Sequence, residues 1–145
     1  MVMAGGGARV DKAAVDRWLE AYVSAWKSYD ASEIEALFAA DVTYRYHPYD
    51  EPVEGRDAVV ASWLGEDSSP DGPTRDQPGT YDASYHAVAV DGPTAVATGS
   101  SRYSDDPGGR ITQTFDNCFV IQFDEDGRCT DFVEWFIERP AAGEN

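Results

Sequence analysis

The chain has 145 residues, enough for one domain with a real core, and its 12% aromatic and 42% hydrophobic residues exclude a wholly disordered chain. Its 27 Asp and Glu against 11 Lys and Arg give a formal net charge of −16. Such a field repels phosphate backbones and anionic lipid, which argues against nucleic-acid and membrane partners.

No apolar run is long enough to span a membrane, and the opening Met-Val-Met-Ala-Gly-Gly-Gly lacks the basic and apolar segments of a secretory signal. The expectation is a cytoplasmic protein with a flexible tail over residues 1–10, one domain over 11–139 and a short tail over 140–145.

A first helix is predicted over 11–29, where Val15, Trp18, Leu19, Tyr22, Val23, Trp26 and Tyr29 recur at three- and four-residue steps. A second helix starts after Asp30 or Ser32, either of which can cap it, and buries Ile34, Leu37 and Phe38. Residues 42–46 alternate β-branched and aromatic side chains and predict a short strand, followed by a proline-bounded loop over 47–52. A third helix over 56–64 carries Val59, Val60, Trp63 and Leu64 and stops at Gly65. Residues 65–80 form the one long loop, rich in Asp, Ser, Pro and Gly. Four strands follow, over 81–90, 94–104, 110–123 and 128–138, joined by turns containing Gly92, Gly109 and Gly127. Helices followed by hairpin-linked strands argue for an α+β domain with helices on one face of a curved sheet.

With Phe123 opposite Arg128, the last hairpin places Phe115 against Phe136, Asn117 against Glu134 and Phe119 against Phe132, all on one face. A bulge near Gly127 would change that register. In the same register Cys129 lies opposite Gln122, too far from Cys118 for a disulfide, so both thiols are expected free.

Element order, together with Ile34-Glu-Ala-Leu-Phe-Ala-Ala-Asp-Val-Thr43, Gly55-Arg-Asp-Ala and Phe132-Val-Glu-Trp-Phe136, resembles the SnoaL-like branch of the nuclear transport factor 2-like superfamily. The resemblance covers roughly residues 11–139. It implies a cone-shaped α+β barrel, a curved and mostly antiparallel sheet with three helices on its concave face around a pocket. It also implies a homodimer, which the apolar Cys118, Val120, Val133, Trp135 and Ile137 on the opposite face would serve. The superfamily spans isomerases, cyclases, dehydratases, epoxide hydrolases and non-catalytic proteins, so the fold leaves the chemistry open. Set against its ketosteroid isomerases, the oxyanion tyrosine falls on Tyr22. The general-base aspartate falls on Tyr46, or on His47 if the next proline is aligned, and the second acid falls on Phe119. Lacking both acids, the chain is not expected to run that isomerisation.

Glu134 is the leading candidate. Between Phe132 and Phe136 on a half-buried face, its carboxyl should be desolvated, which raises a carboxyl pKa toward the range a general acid or base needs. The alternative is a structural glutamate hydrogen-bonded to Asn117 or paired with an arginine. His47 and Tyr22 complete the catalytic candidates, with an exposed loop position and helix-core packing as their plain alternatives. Tyr44, Tyr46, Asn117, Trp63, Phe115, Phe119, Phe132 and Phe136 are expected to line a ligand pocket. Asp50 and Glu51 are expected to be solvated, and His86 to be structural.

There is no phosphate-binding glycine loop, no nucleophile elbow and no zinc spacing, so neither a cofactor nor a metal is implied. Two functions remain in view. One is a cofactor-free isomerase, cyclase, hydratase or dehydratase acting on a small apolar organic molecule. The other is a non-catalytic ligand-binding or dimerisation module.

Overall fold

The computed structural model describes residues 10–65 and 75–140. The predicted tails, apart from residues 10 and 140, and most of the 65–80 loop lie outside the described residues. Among these residues three helices precede and interleave with six strands.

Helix α1 (Lys12–Ser28) begins where the Asp11 carboxylate accepts the Ala14 N–H at 2.7 Å. It ends at Tyr29, whose positive φ of 50° is the left-handed turn that closes a helix. Asp30 caps α2 (Ala31–Glu35) through the N–H groups of Ser32 and Glu33. Strand β1 (Phe38–Arg45) starts four residues before the expected position, so Phe38 belongs to the sheet and not to the helix. After the two-residue strand β2 (Val53–Glu54) comes α3 (Arg56–Trp63), with Gly65 at φ 71° beyond its end. Strands β3 (Tyr81–Asp91), β4 (Thr94–Ser104), β5 (Ile111–Phe123) and β6 (Cys129–Glu138) follow within a residue of their predicted bounds.

The strands form one sheet in the order β2-β1-β6-β5-β4-β3, parallel between β1 and β6 and antiparallel elsewhere. It is not closed: β2 and β3 remain as edges. Of four register shifts in the sheet, three, at Val88 in β3, Thr112 in β5 and Thr130 in β6, each insert an unpaired residue, and such bulges bend and twist a sheet. At the first, α1 covers the edge and Asp16 accepts the Ala87 N–H at 2.8 Å.

The shift at Thr130 corrects the predicted hairpin. Phe123 pairs with Cys129, but Gln122 pairs with Asp131, so Asn117 stands opposite Phe136 and Phe119 opposite Glu134. The predicted pairing is displaced by two residues. A two-residue displacement preserves the face each side chain occupies. Both cysteines are free.

One core fills the space between α1 and the sheet. Trp18 packs edge-on against Phe38 and Phe123, and its indole N–H is satisfied by the Leu37 carbonyl at 3.0 Å. Among the described residues no helix is long and apolar enough to cross a membrane.

Candidate functional site

Between α1, α3 and the sheet lies a cavity of about 500 Å³, within the range of small-molecule sites. Strand alternation and helix periodicity explain its wall. On β6, Glu134 and Phe136 project into it; on β5, Gln113, Phe115 and Asn117; on β4, Ser101 and Tyr103; on β3, Tyr85. Helix α1 contributes Tyr22 and Trp26, one turn apart on the face toward the sheet.

Glu134 sits at the centre of the polar contacts. Its Oε2 accepts a hydrogen bond from Asn117 Nδ2 at 2.7 Å, and Asn117 Oδ1 in turn accepts from Ser101 Oγ at 3.2 Å. These bonds run across β4, β5 and β6 and fix the amide orientation. Burial raises the Glu134 pKa to about 7; the Asn117 bond and the nearby His47 oppose that rise without cancelling it. No Lys or Arg lies within 4 Å of the carboxylate among the described residues, so the arginine-paired alternative has no support there.

Tyr22 and Tyr44 share a hydrogen bond at 3.0 Å between their hydroxyls. Burial first, then neighbouring groups that include Glu134, pushes both pKa values upward, so both remain neutral donors. One shared bond uses one of the two hydroxyl protons and leaves the other as a donor in the cavity. Tyr46 places its hydroxyl 2.8 Å from Ser62 Oγ on α3. Trp63 stands at the wall and also in the core, 5.0 Å from Tyr22 and 5.8 Å from Phe38 between ring centres.

His47 is held rather than loose. Its Nδ1 lies 2.7 Å from Asp50 Oδ2, and its ring stacks on Tyr49 and approaches Phe136 at 5.0 Å. The expectation of a solvated Asp50 is therefore corrected, since its side chain is only 31% exposed and engages the imidazole.

Phe119 and Phe132 are also corrected. At 1% and 0% exposure they lie beneath the cavity floor and not in its wall. Phe132 lies near-parallel to both the Tyr22 and the Tyr44 rings, at 5.6 Å and 4.6 Å between centres, and Phe119 packs against Tyr85 at 4.6 Å. The rings of α1 and β1 cover exactly the sheet positions that alternation alone left open to a ligand. Tyr44 belongs to the wall although it is only 1% exposed.

Several wall residues went unrecognised in the sequence. Trp26 and Tyr29 are on the helix stripe from which only Tyr22 was singled out as a site candidate. Tyr85, Ser101 and Tyr103 share the parity of Asn117 across β3, β4 and β5, a signal readable once the strand pairing is known. Asp76 had no local signal. It arrives from the stem before β3 and accepts hydrogen bonds from Trp26 Nε1 at 3.1 Å and Tyr29 Oη at 3.4 Å.

The profile of the SnoaL-like domain matches residues 19–132. A proposed ketosteroid isomerase from Kribbella flavida superposes with a TM-score of 0.61 at 16% identity, covering 93% of this chain and 86% of that one. An LEH-like epoxide hydrolase from M. tuberculosis superposes with a TM-score of 0.59 at 17% identity, covering 87% of this chain and 84% of that one. At such identities these structures share the fold, and no curated protein matches the sequence. With the matched domain spanning most of the chain and the same architecture in solved relatives, the protein belongs to the SnoaL-like domain family, with the nuclear transport factor 2-like fold.

Proposed function

We propose that this protein is a cofactor-free enzyme that moves a proton on a small, mostly apolar organic substrate, with Glu134 as the proton carrier. The observation that carries this reading is one carboxyl group in an aromatic cavity, held by a single amide donor, with its pKa raised to about 7. Such a group is ionised in part at neutral pH, so it can take a proton from carbon or oxygen and return it to another atom of the same substrate. The Tyr22–Tyr44 pair offers a neutral hydroxyl donor that can polarise a carbonyl or steady a developing oxyanion. His47, oriented by Asp50 at the cavity wall, is placed to support Glu134 electrostatically. Isomerisation, cyclisation, hydration and dehydration all suit this set.

The two similar structures are named for isomerisation and epoxide opening, which agrees with a small-molecule cavity without selecting a reaction. The test is Glu134→Gln, which keeps the shape and removes the titration. Turnover of any identified substrate should fall by about a hundredfold or more, the range of general acid–base catalysis. Turnover unchanged by that substitution would leave the cavity a binding site without catalysis by Glu134.

The protein is proposed to act as a homodimer. On β6, Trp135 and Ile137 are 44% and 74% exposed on the face away from the cavity, an apolar surface that a second copy would cover.

A further inference from the structure

The cavity has two acidic ends of different character. At one, Glu134 sits beside Asn117 and the two buried tyrosines. At the other, Asp76 is surrounded by rings. Trp26 and Tyr29 both donate to Asp76 Oδ2, and the Asp76 N–H donates to Tyr29 Oη at 2.8 Å. Tyr81 and Tyr103 complete the cluster, with ring centres 4.6 Å and 6.2 Å from Trp26, and the Tyr81 hydroxyl is tied to the Trp26 carbonyl at 2.7 Å. Trp26, Tyr29, Tyr103 and Asp76 all line the cavity.

No Lys or Arg lines the cavity among the described residues. The nearby cations are committed elsewhere. Lys27 and Arg102 pair with Asp82, at 2.7 Å and 3.7 Å. Arg75 donates to the Leu64 carbonyl and places its guanidinium 5.4 Å over the Tyr29 ring, itself a cation resting on one wall of this cluster. A carboxylate surrounded by aromatic side chains, in a cavity lined by no Lys or Arg among the described residues, attracts a cation and not an anion, and the Arg75 guanidinium over Tyr29 is one cation already held at its margin. A neutral apolar ligand would need the rings but would gain nothing from the carboxylate.

We propose that the Asp76 end of the cavity is a subsite for an organic cation, an ammonium group seated among Trp26, Tyr29 and Tyr103. The substrate class is then an amine whose apolar body extends toward Glu134. Tyr103 links the two ends: burial raises its pKa, and the charges of both Asp76 and Glu134 reinforce the shift. The inference rests on the reading of this cavity as the substrate site, and adds what the substrate must carry.

The test compares two probes of the same shape, benzyltrimethylammonium and its uncharged carbon analogue neopentylbenzene. Their binding to the full chain is followed through the Trp26 indole N–H resonance. The cation should bind at least about tenfold tighter than the carbon analogue. Asp76→Asn, which keeps the side-chain shape, should reduce that preference to about threefold or less while leaving the analogue's affinity unchanged. Equal or tighter binding of the neutral probe overturns the proposal, as does binding of neither probe or a preference that survives Asp76→Asn. The two readings fail separately. A missing cation preference leaves proton transfer by Glu134 standing, whereas turnover that survives Glu134→Gln leaves the Asp76 subsite standing.

Discussion

Asn117 and Glu134 are hydrogen-bonded diagonally across β5 and β6. The amide reaches the carboxylate at 2.7 Å although the direct sheet partners are Phe136 for Asn117 and Phe119 for Glu134. Side chains two residues apart on one face are within reach of such a bond when one of them is long. The bulge at Thr130 therefore changes which residues are opposite without separating the two polar groups.

Glu134 should titrate far above an ordinary glutamate, with a midpoint of about 7 in a carboxyl-selective NMR titration. Its folded pKa is raised, so between pH 4.5 and about 7 the folded state holds a proton that the unfolded chain has released. Stability from this group therefore falls as pH rises through that window, by roughly 3 kcal/mol in all. Glu134→Gln should accordingly stabilise the protein at about pH 8 and change it little near the acidic end of the window. Denaturant melts at the two pH values check the sign.

Removing the Asn117 amide should move the Glu134 midpoint higher still, because that bond favours the ionised form. Asn117→Leu is the suitable change. It also strands the Ser101 hydroxyl, so a loss of about 1–3 kcal/mol is expected in the same sample. A midpoint that stays near 7 would show that the amide does not tune the acid.

Tyr22 and Tyr44 should behave as a coupled pair. Either single Phe substitution leaves one buried hydroxyl without its partner, at about 1–3 kcal/mol. The double substitution removes both polar groups, so its cost should fall short of the sum by about 1 kcal/mol or more. A double-mutant cycle in urea measures this; strict additivity would mean the bond contributes nothing.

Gly99 lies in β4 between Tyr85 on β3 and Asn117 on β5. A Cβ there would fall 2.0 Å from the Ser84 carbonyl oxygen and 2.7 Å from the Tyr85 Cα, both backbone atoms that cannot swing aside. Gly99→Ala should cost about 3 kcal/mol or more, since the strands must part to admit it. A melting temperature within a degree or two of the wild type, roughly the shift for a few tenths of a kcal/mol, would contradict the close approach.

Charging the outer face of β6 should separate the proposed dimer while sparing the cavity on the opposite side. Trp135→Glu with Ile137→Lys places charges where the two exposed apolar side chains stand. Sedimentation at micromolar protein should show a dimer for the wild type and a monomer for the variant. A wild-type monomer would remove the dimer proposal.

The helix and strand positions, and the face on which each side chain stands, were legible in the sequence because they depend on local periodicity. Asn117, Glu134 and Phe136 were assigned to one face by counting, the family resemblance made that face the inner one, and parity survived the two-residue register error. The start of β1 was missed because Leu37 and Phe38 read as the end of a helix stripe, and only pairing with Cys129 draws Phe38 into the sheet.

What tertiary structure decided was depth and company. Phe119 and Phe132 share the face of Glu134, yet the rings of α1 and β1 cover them, and no local pattern announces which inner positions a helix will cover. Asp76 meets Trp26, 50 residues earlier in the chain, only because the stem before β3 returns to the end of α1. Periodicity is a property of a few consecutive residues, whereas burial and partners arise from segments brought together across the chain.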